Sequence, residues 1–177
     1  MPAARRVNLM TVSSQAFIEA MRQLAHGVTL ITTAHEGRWA GLTATAVCSV
    51  SAEPPQLLAC INRRAETHRL IAEGGVFAVN VLASEQHHLA EIFAGGGGVY
   101  GDQRFAEADW TTLTTGAPVL RPCLASFDCR LVEHLPASSH SIFIGGVAAI
   151  ELHPDLDPLV YVEGDYSLIV PFMTSGG

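Results

Sequence analysis

Residues 41–71 read GLTATAVCSVSAEPPQLLACINRRAETHRLI, and the fold is decided by how this stretch is divided. Its first part belongs to an extended run over residues 39–50, in which Leu42, Ala44, Ala46 and Cys48 would share one side. Glu53-Pro54-Pro55 breaks the run, because proline cannot donate to a ladder. A further strand is expected over residues 56–62, and a helix over 65–73 that Gly74 and Gly75 stop. Upstream, Phe17, Ile18, Met21, Leu24 and Ala25 recur at helical spacing, which predicts a helix over 14–25. A β-branched strand over 28–34 and a turn at His35-Glu36-Gly37 follow it. Downstream come a strand over 76–82, a helix over 84–93 capped by Ser84, and the four glycines 95–98, expected to be a mobile loop. Strands over 124–134, 141–151, 158–162 and 164–170 complete the chain, with turns over 135–139 and 153–158. Strands dominate and regular strand-helix alternation is missing, so the fold class is mainly β. The expected form is a closed antiparallel barrel with a few covering helices. Nothing divides residues 1–177 into two domains, and residues 1–12 are expected to be a flexible N-terminal segment.

Composition narrows the function. The chain is 49 % hydrophobic and only 15 % charged, which points to a surface partly covered by a partner and hence to a homodimer. The net charge of −7 argues against nucleic-acid binding, which needs a basic face. No apolar run approaches the roughly 20 residues needed to span a bilayer, and no secretory signal follows Arg5-Arg6. Cys48, Cys60, Cys123 and Cys129 contain no CxxC pair, so reduced thiols in or near a core are expected rather than a metal site. The expected compartment is the cytoplasm.

Several chemistries find no signature. There is no GxGxxG after a strand, no P-loop and no GxSxG elbow. His87-His88 are adjacent on a helix, where neighbours point about 100° apart and rarely share a metal. What remains is the opening stretch. Small side chains along a strand leave backbone amide and carbonyl groups accessible to a flat ring, and an isoalloxazine offers matching polar atoms along its pyrimidine edge. Asn62-Arg63-Arg64-Ala65-Glu66-Thr67 then leads from strand to helix start. Free N–H groups, two arginines and the Thr67 hydroxyl there suit a phosphate monoester.

The chain also resembles the short-chain flavin reductases, nearest to the reductase component of pyrimidine-ring-opening monooxygenase systems. The matching segments are GVTLITT (27–33), GLTATAVCSVSAEPPQLLACINR (41–63) and FAVNVL (77–82). Phe93-Ala94, GDQRF (101–105), SFDCR (126–130), SSHSIFIGGV (138–147) and PLVYVEGDY (158–166) complete the set. The resemblance implies an FMN-binding split β-barrel of Greek-key type that binds FMN or FAD, usually across a homodimer interface. It implies flavin contacts from Thr43, Ala44, Thr45, Ala46, Val47, Cys48, Ser49 and Val50. Phosphate contacts follow from Asn62, Arg63, Arg64 and Thr67, and closure over the cofactor from Arg104 and Phe105. His140 matches a histidine near the nicotinamide, and Tyr166 lies in the matching C-terminal segment. The implied activity is NADH- or NADPH-dependent flavin reduction by hydride transfer to flavin N5, for a separate monooxygenase. The family often has Asn-Ser where Thr45-Ala46 stand, which leaves FMN against FAD open, and Gly-Asp where Ser138-Ser139 stand. The rival reading is a non-enzymatic flavin carrier or sensor on the same barrel. An oxidase of a pyridoxamine-like phosphate ranks lower, since lysine is absent and a second phosphate would want more basic residues.

Overall fold

The structure, a computed structural model, describes residues 12–170, so the expectation for the N-terminal segment lies almost wholly outside the described residues. Helix α1 (Ser14–Met21) starts where the Ser13 hydroxyl accepts the Ala16 N–H at 3.1 Å. Strands β1 (His26–Gly27), β2 (Thr29–His35), β3 (Arg38–Ala44), β4 (Val47–Ala52) and β5 (Pro55–Asn62) follow. Then come α2 (Glu66–Gly74), β6 (Val76–Val81), α3 (His87–Phe93), β7 (Asp109–Thr112) and β8 (Pro118–Arg121). Strands β9 (Ala125–Ala137), β10 (His140–Leu152), β11 (Val160–Val162) and β12 (Asp165–Ser167) end the described chain.

Seven strands form one antiparallel sheet in the order β3-β2-β6-β9-β10-β5-β4. Helix α2 carries the chain from β5 across to β6, leaving β5 beside β10, a Greek-key step. The sheet is strongly curled. Ile31 of β2 shares one buried cluster with Leu57, Ala59 and Ile61 of β5, four strands away, and with Phe77, Val79 and Phe143. On the opposite side of β2, Leu30 belongs to a second cluster with Leu89, Phe93, Phe105 and Leu120. That two-sided burial explains why β2 reads as a continuous apolar and threonine run rather than an alternating one. Gly145 of β10 crosses the Phe77 ring so closely that a Cβ there would lie 2.4 Å from Cζ; only glycine permits the crossing.

The expected closed barrel is corrected here: the sheet stays open. Its two edge strands, β3 and β4, are consecutive in the chain and joined only by Thr45 and Ala46. The single strand expected over 39–50 is therefore two strands. One extended segment cannot serve both edges of a curled sheet without bending. The bend also shifts the phase: Leu42, Ala44 and Val47 pack against the inner cluster, whereas Ala46 and Cys48 are exposed. Cys48 thus departs from the expectation of a core thiol, while Cys123 and Cys129 are buried; all four cysteines are free thiols.

Other boundaries move for local reasons. Ser84 does not cap α3; the Gln86 side chain accepts the Ala83 N–H at 2.9 Å, and one 3₁₀ turn precedes the helix. The β9–β10 hairpin runs on to a two-residue turn at Ser138-Ser139, so the loop expected over 135–139 is mostly strand. Residues 168–170 leave the ladder after β12. Strands β7 and β8, a small hairpin that sequence patterning missed, pack Trp110 against Phe105 and place Leu120 in the second cluster. Beneath them, buried Asn80 donates to Leu30 O at 3.2 Å and Thr32 Oγ1 at 3.0 Å. Its Oδ1 accepts the Leu120 N–H at 2.9 Å and the Ser126 hydroxyl at 3.2 Å.

Candidate functional site

The open seam of the sheet is a groove of about 740 Å³, within the roughly 300–1,000 Å³ usual for ligand sites. One wall is β3. As an edge strand it pairs with β2 on one side only, so the backbone groups on its other side are not used by the sheet. Thr43, Ala44, Thr45 and Ala46 line this wall. The Thr43 hydroxyl is turned aside, donating to Ala90 O at 2.6 Å, which ties the wall to α3. Ala46 O accepts the Cys60 N–H at 2.9 Å and fixes the floor, where Cys60 also lines the groove. Burial, with Cys48 nearby, pushes the Cys60 thiol above its ordinary range and keeps it protonated.

The end wall is built by the turn from β5 into α2. Asn62 Oδ1 accepts the Arg64 N–H at 2.9 Å, and Asn62 O accepts the Ala65 N–H at 3.0 Å. This turn sends Arg64 to the groove. Ala65 occupies the cap position of α2 and offers no side-chain oxygen, so no side chain competes for the first N–H groups of the helix. Thr67 is only 2 % exposed yet lines the groove, so its hydroxyl is reached from there. The uncapped helix start, Arg64 and Thr67 thus lie together at this end of the groove, an arrangement suited to an anion. Glu66 stands among them, held by an ion pair with Arg38 of β3 and by Arg69 at 3.9 Å. Sequence reading passed over Glu66; its signal was the first-turn position it shares with the proposed anion.

The third wall comes from Phe93, Ala94, Tyr100, Gly101 and Arg104. Arg104 reaches across from the loop, donating from NH1 to Gly41 O at 3.2 Å and from Nε to Val99 O at 3.1 Å. It clamps the glycine-rich segment against β3. His140 completes the lining. It pairs across the ladder with Asn62, and its Nδ1 lies 2.9 Å from Ser139 Oγ.

The structure thus gathers most, but not all, of the residues read from sequence. Val47, Cys48, Ser49 and Val50 fall past the bend onto β4 and do not line the groove. Arg63 does not either; its backbone N–H and guanidinium bond Ser139 O and Ser138 O of the hairpin, at 3.0 and 3.4 Å. Phe105 is corrected from cofactor lid to core residue. Its ring packs edge-on against Trp39, Phe93 and Trp110, with centroids 4.8–5.3 Å away, and is 7 % exposed. Tyr166 lines a neighbouring hollow rather than this groove. Next to Thr67, His68 bonds Ser141 Oγ at 2.9 Å outside the groove; burial first, then His134 and Arg63, depress its pKa.

Among the described residues, no helix is long and apolar enough to cross a membrane, and no group of three or more potential ligands is arranged for a metal. The family model for the flavin reductase like domain matches residues 21–169. The FMN reductase (NADH) RutF of Bradyrhizobium diazoefficiens is 38 % identical over 164 residues, covering 93 % of this chain and 90 % of that protein. Among solved structures, the flavin reductase PheA2 superposes with a TM-score of 0.83 at 33 % identity, covering 90 % of this chain and all (100 %) of that one. BorF, the flavin reductase component of a bacterial two-component tryptophan halogenase, gives 0.82 at 33 % identity, with 90 % and 100 % coverage. A curled antiparallel sheet left open at a groove, and agreement along nearly all its length, place this chain in the flavin reductase like family.

Proposed function

We propose that the groove holds FMN or FAD, and that the chain uses NADH to reduce that flavin for a separate flavin-dependent monooxygenase. The flavin ring would lie along β3 from Thr43 to Ala46, with its phosphate at Arg64, Thr67 and the start of α2. The observation that carries this reading is the uncapped α2 N-terminus, with Arg64 and the Thr67 hydroxyl beside it, at the end of a groove whose wall is an unpaired strand edge. The site fits the group. An anion at a helix start gains about 0.3–2 kcal/mol from the dipole alone, and Arg64 adds a charge-assisted bond.

Bound flavin supplies hydride chemistry at N5 that no protein side chain offers. The chain's own task is alignment at about 3–3.5 Å and exclusion of water. Arg104 holds the covering segment to Gly41, and Ser139 fixes His140 through Nδ1, leaving Nε2 to position a nicotinamide. The names of the similar proteins favour an enzyme over a carrier. We further infer that residues 1–177 act as one domain and that the protein is a homodimer. The apolar face of α1 and the turn after it support the dimer: Phe17, Ile18 and Met21 of the helix and Leu24 beyond it are 41–59 % exposed, and the helix buries no residue.

The test is NADH oxidation at 340 nm with and without FMN or FAD. Flavin-dependent oxidation is expected, and bound flavin without turnover would restore the carrier reading. His140→Ala should raise the KM for NADH while flavin affinity holds. Because His140 stands opposite Asn62, a loss of flavin affinity instead would assign it to the phosphate.

A further inference from the structure

Beyond the groove lies a second hollow of about 440 Å³, lined by His88, Glu91, Ile92, Gly96, Gly97 and Tyr166. It shares Ala94 with the groove, and the glycine segment forms the ridge between them. Two kinds of surface face each other in it. Ile92 and the Tyr166 ring, itself edge-on to Tyr161 with centroids 5.5 Å apart, offer an apolar seat for a flat base. Glu91 offers a carboxylate that only accepts hydrogen bonds. No arginine lines the hollow, and the chain has no lysine, so no permanently charged cation there faces a phosphate on the ribose.

The ridge has the opposite character. Gly96 is right-handed and Gly97 left-handed, with φ of +68°. That succession turns consecutive N–H groups toward one concave side, which accepts anions. A base and ribose in the hollow, a pyrophosphate over the ridge and a reacting ring in the groove would follow one continuous path. The Tyr166 phenol is raised above its ordinary pKa, mainly by burial and next by Glu91 and Tyr161, so it stays protonated beside the carboxylate.

We propose that this hollow is an adenosyl subsite in which Glu91 accepts hydrogen bonds from the ribose 2′- and 3′-hydroxyls and Tyr166 flanks the base. A carboxylate facing the ribose rewards a free diol and repels a 2′-phosphate. The hollow therefore selects NADH over NADPH. The inference rests on the flavin reading of the groove.

The test uses the full-length protein and equilibrium titration, with ADP-ribose and 2′-phospho-ADP-ribose as probes. Wild type should bind ADP-ribose at least tenfold more tightly, and Glu91→Arg should abolish or reverse that preference. In kinetics, Glu91→Arg should lower the KM for NADPH and raise that for NADH about five- to tenfold. A Glu91→Ala variant that weakens FAD at least fivefold with FMN affinity unchanged would give the hollow to the flavin's adenosine and overturn the assignment to NADH. Unchanged probe preference and KM ratio would overturn it as well. Should wild type bind no FMN at all, the flavin reading of the groove fails instead, which the same titration series shows separately.

Discussion

The buried layer around Asn80, between the sheet and β8, and the start of α2 lie in one small fold but treat polar groups in opposite ways. Asn80 is buried with both amide ends satisfied, joining β2, β6, β8 and β9 through four bonds. At the start of α2, by contrast, the cap position holds an alanine, and the adjacent guanidinium and hydroxyl line open space. Interior polar groups are paired because leaving them unpaired is costly. A cluster of donors without protein partners beside a groove therefore marks where a ligand belongs.

Substitutions at the two places should separate stability from binding. The largest effect is expected at Asn80→Ala, which strands the Leu120 N–H and removes an acceptor from the Ser126 hydroxyl; a loss of about 2–4 kcal/mol is expected from denaturant melts. Flavin affinity per folded molecule should barely change. Arg64→Ala should do the reverse: the Kd for FMN should rise about 10- to 100-fold, the value of a charge-assisted bond, with the Tm nearly unchanged. Thr67→Val keeps the shape and removes the hydroxyl, so a rise of about three- to tenfold is expected. Comparable losses of stability at both places would erase the contrast.

The smallest effect tests His68, next to Thr67 on α2. Its folded-state pKa lies below the ordinary 6.5, so the unfolded chain binds more protons as pH falls through that value. The stability linked to this group is fully present above about pH 6.5 and declines below it, until the folded-state pKa is passed. His68→Gln should flatten the dependence of unfolding free energy on pH below about 6.5. An unchanged slope would show that other groups set it.

Much of this was legible in the residues. The Asn62–Thr67 turn announced its chemistry because strand end, arginine and helix start are local and contiguous. The β-branched run of β2 and the helix after Ala65 were legible for the same reason. What patterning could not show was closure. Residues 39–50 carry no glycine or proline at Thr45-Ala46, and the bend there arises only because β3 and β4 sit at opposite edges of a curled sheet. That bend moved Val47 through Val50 off the groove. Phe105 misled for a related reason: its neighbours Trp39, Phe93 and Trp110 lie far away in sequence, so the aromatic cluster that buries it leaves no local trace. The neighbouring hollow likewise joins α3 to Tyr166 of β12, far away in sequence.

Parallel titration with FMN and riboflavin, followed by flavin fluorescence, addresses the α2 anion site most directly, since the two ligands differ only by the phosphate. FMN should bind at least tenfold more tightly than riboflavin, and the gap should close in the Arg64→Ala, Thr67→Val double variant. Equal affinity for the two flavins in the wild-type protein would contradict the assignment of Arg64, Thr67 and the uncapped helix start as the phosphate site.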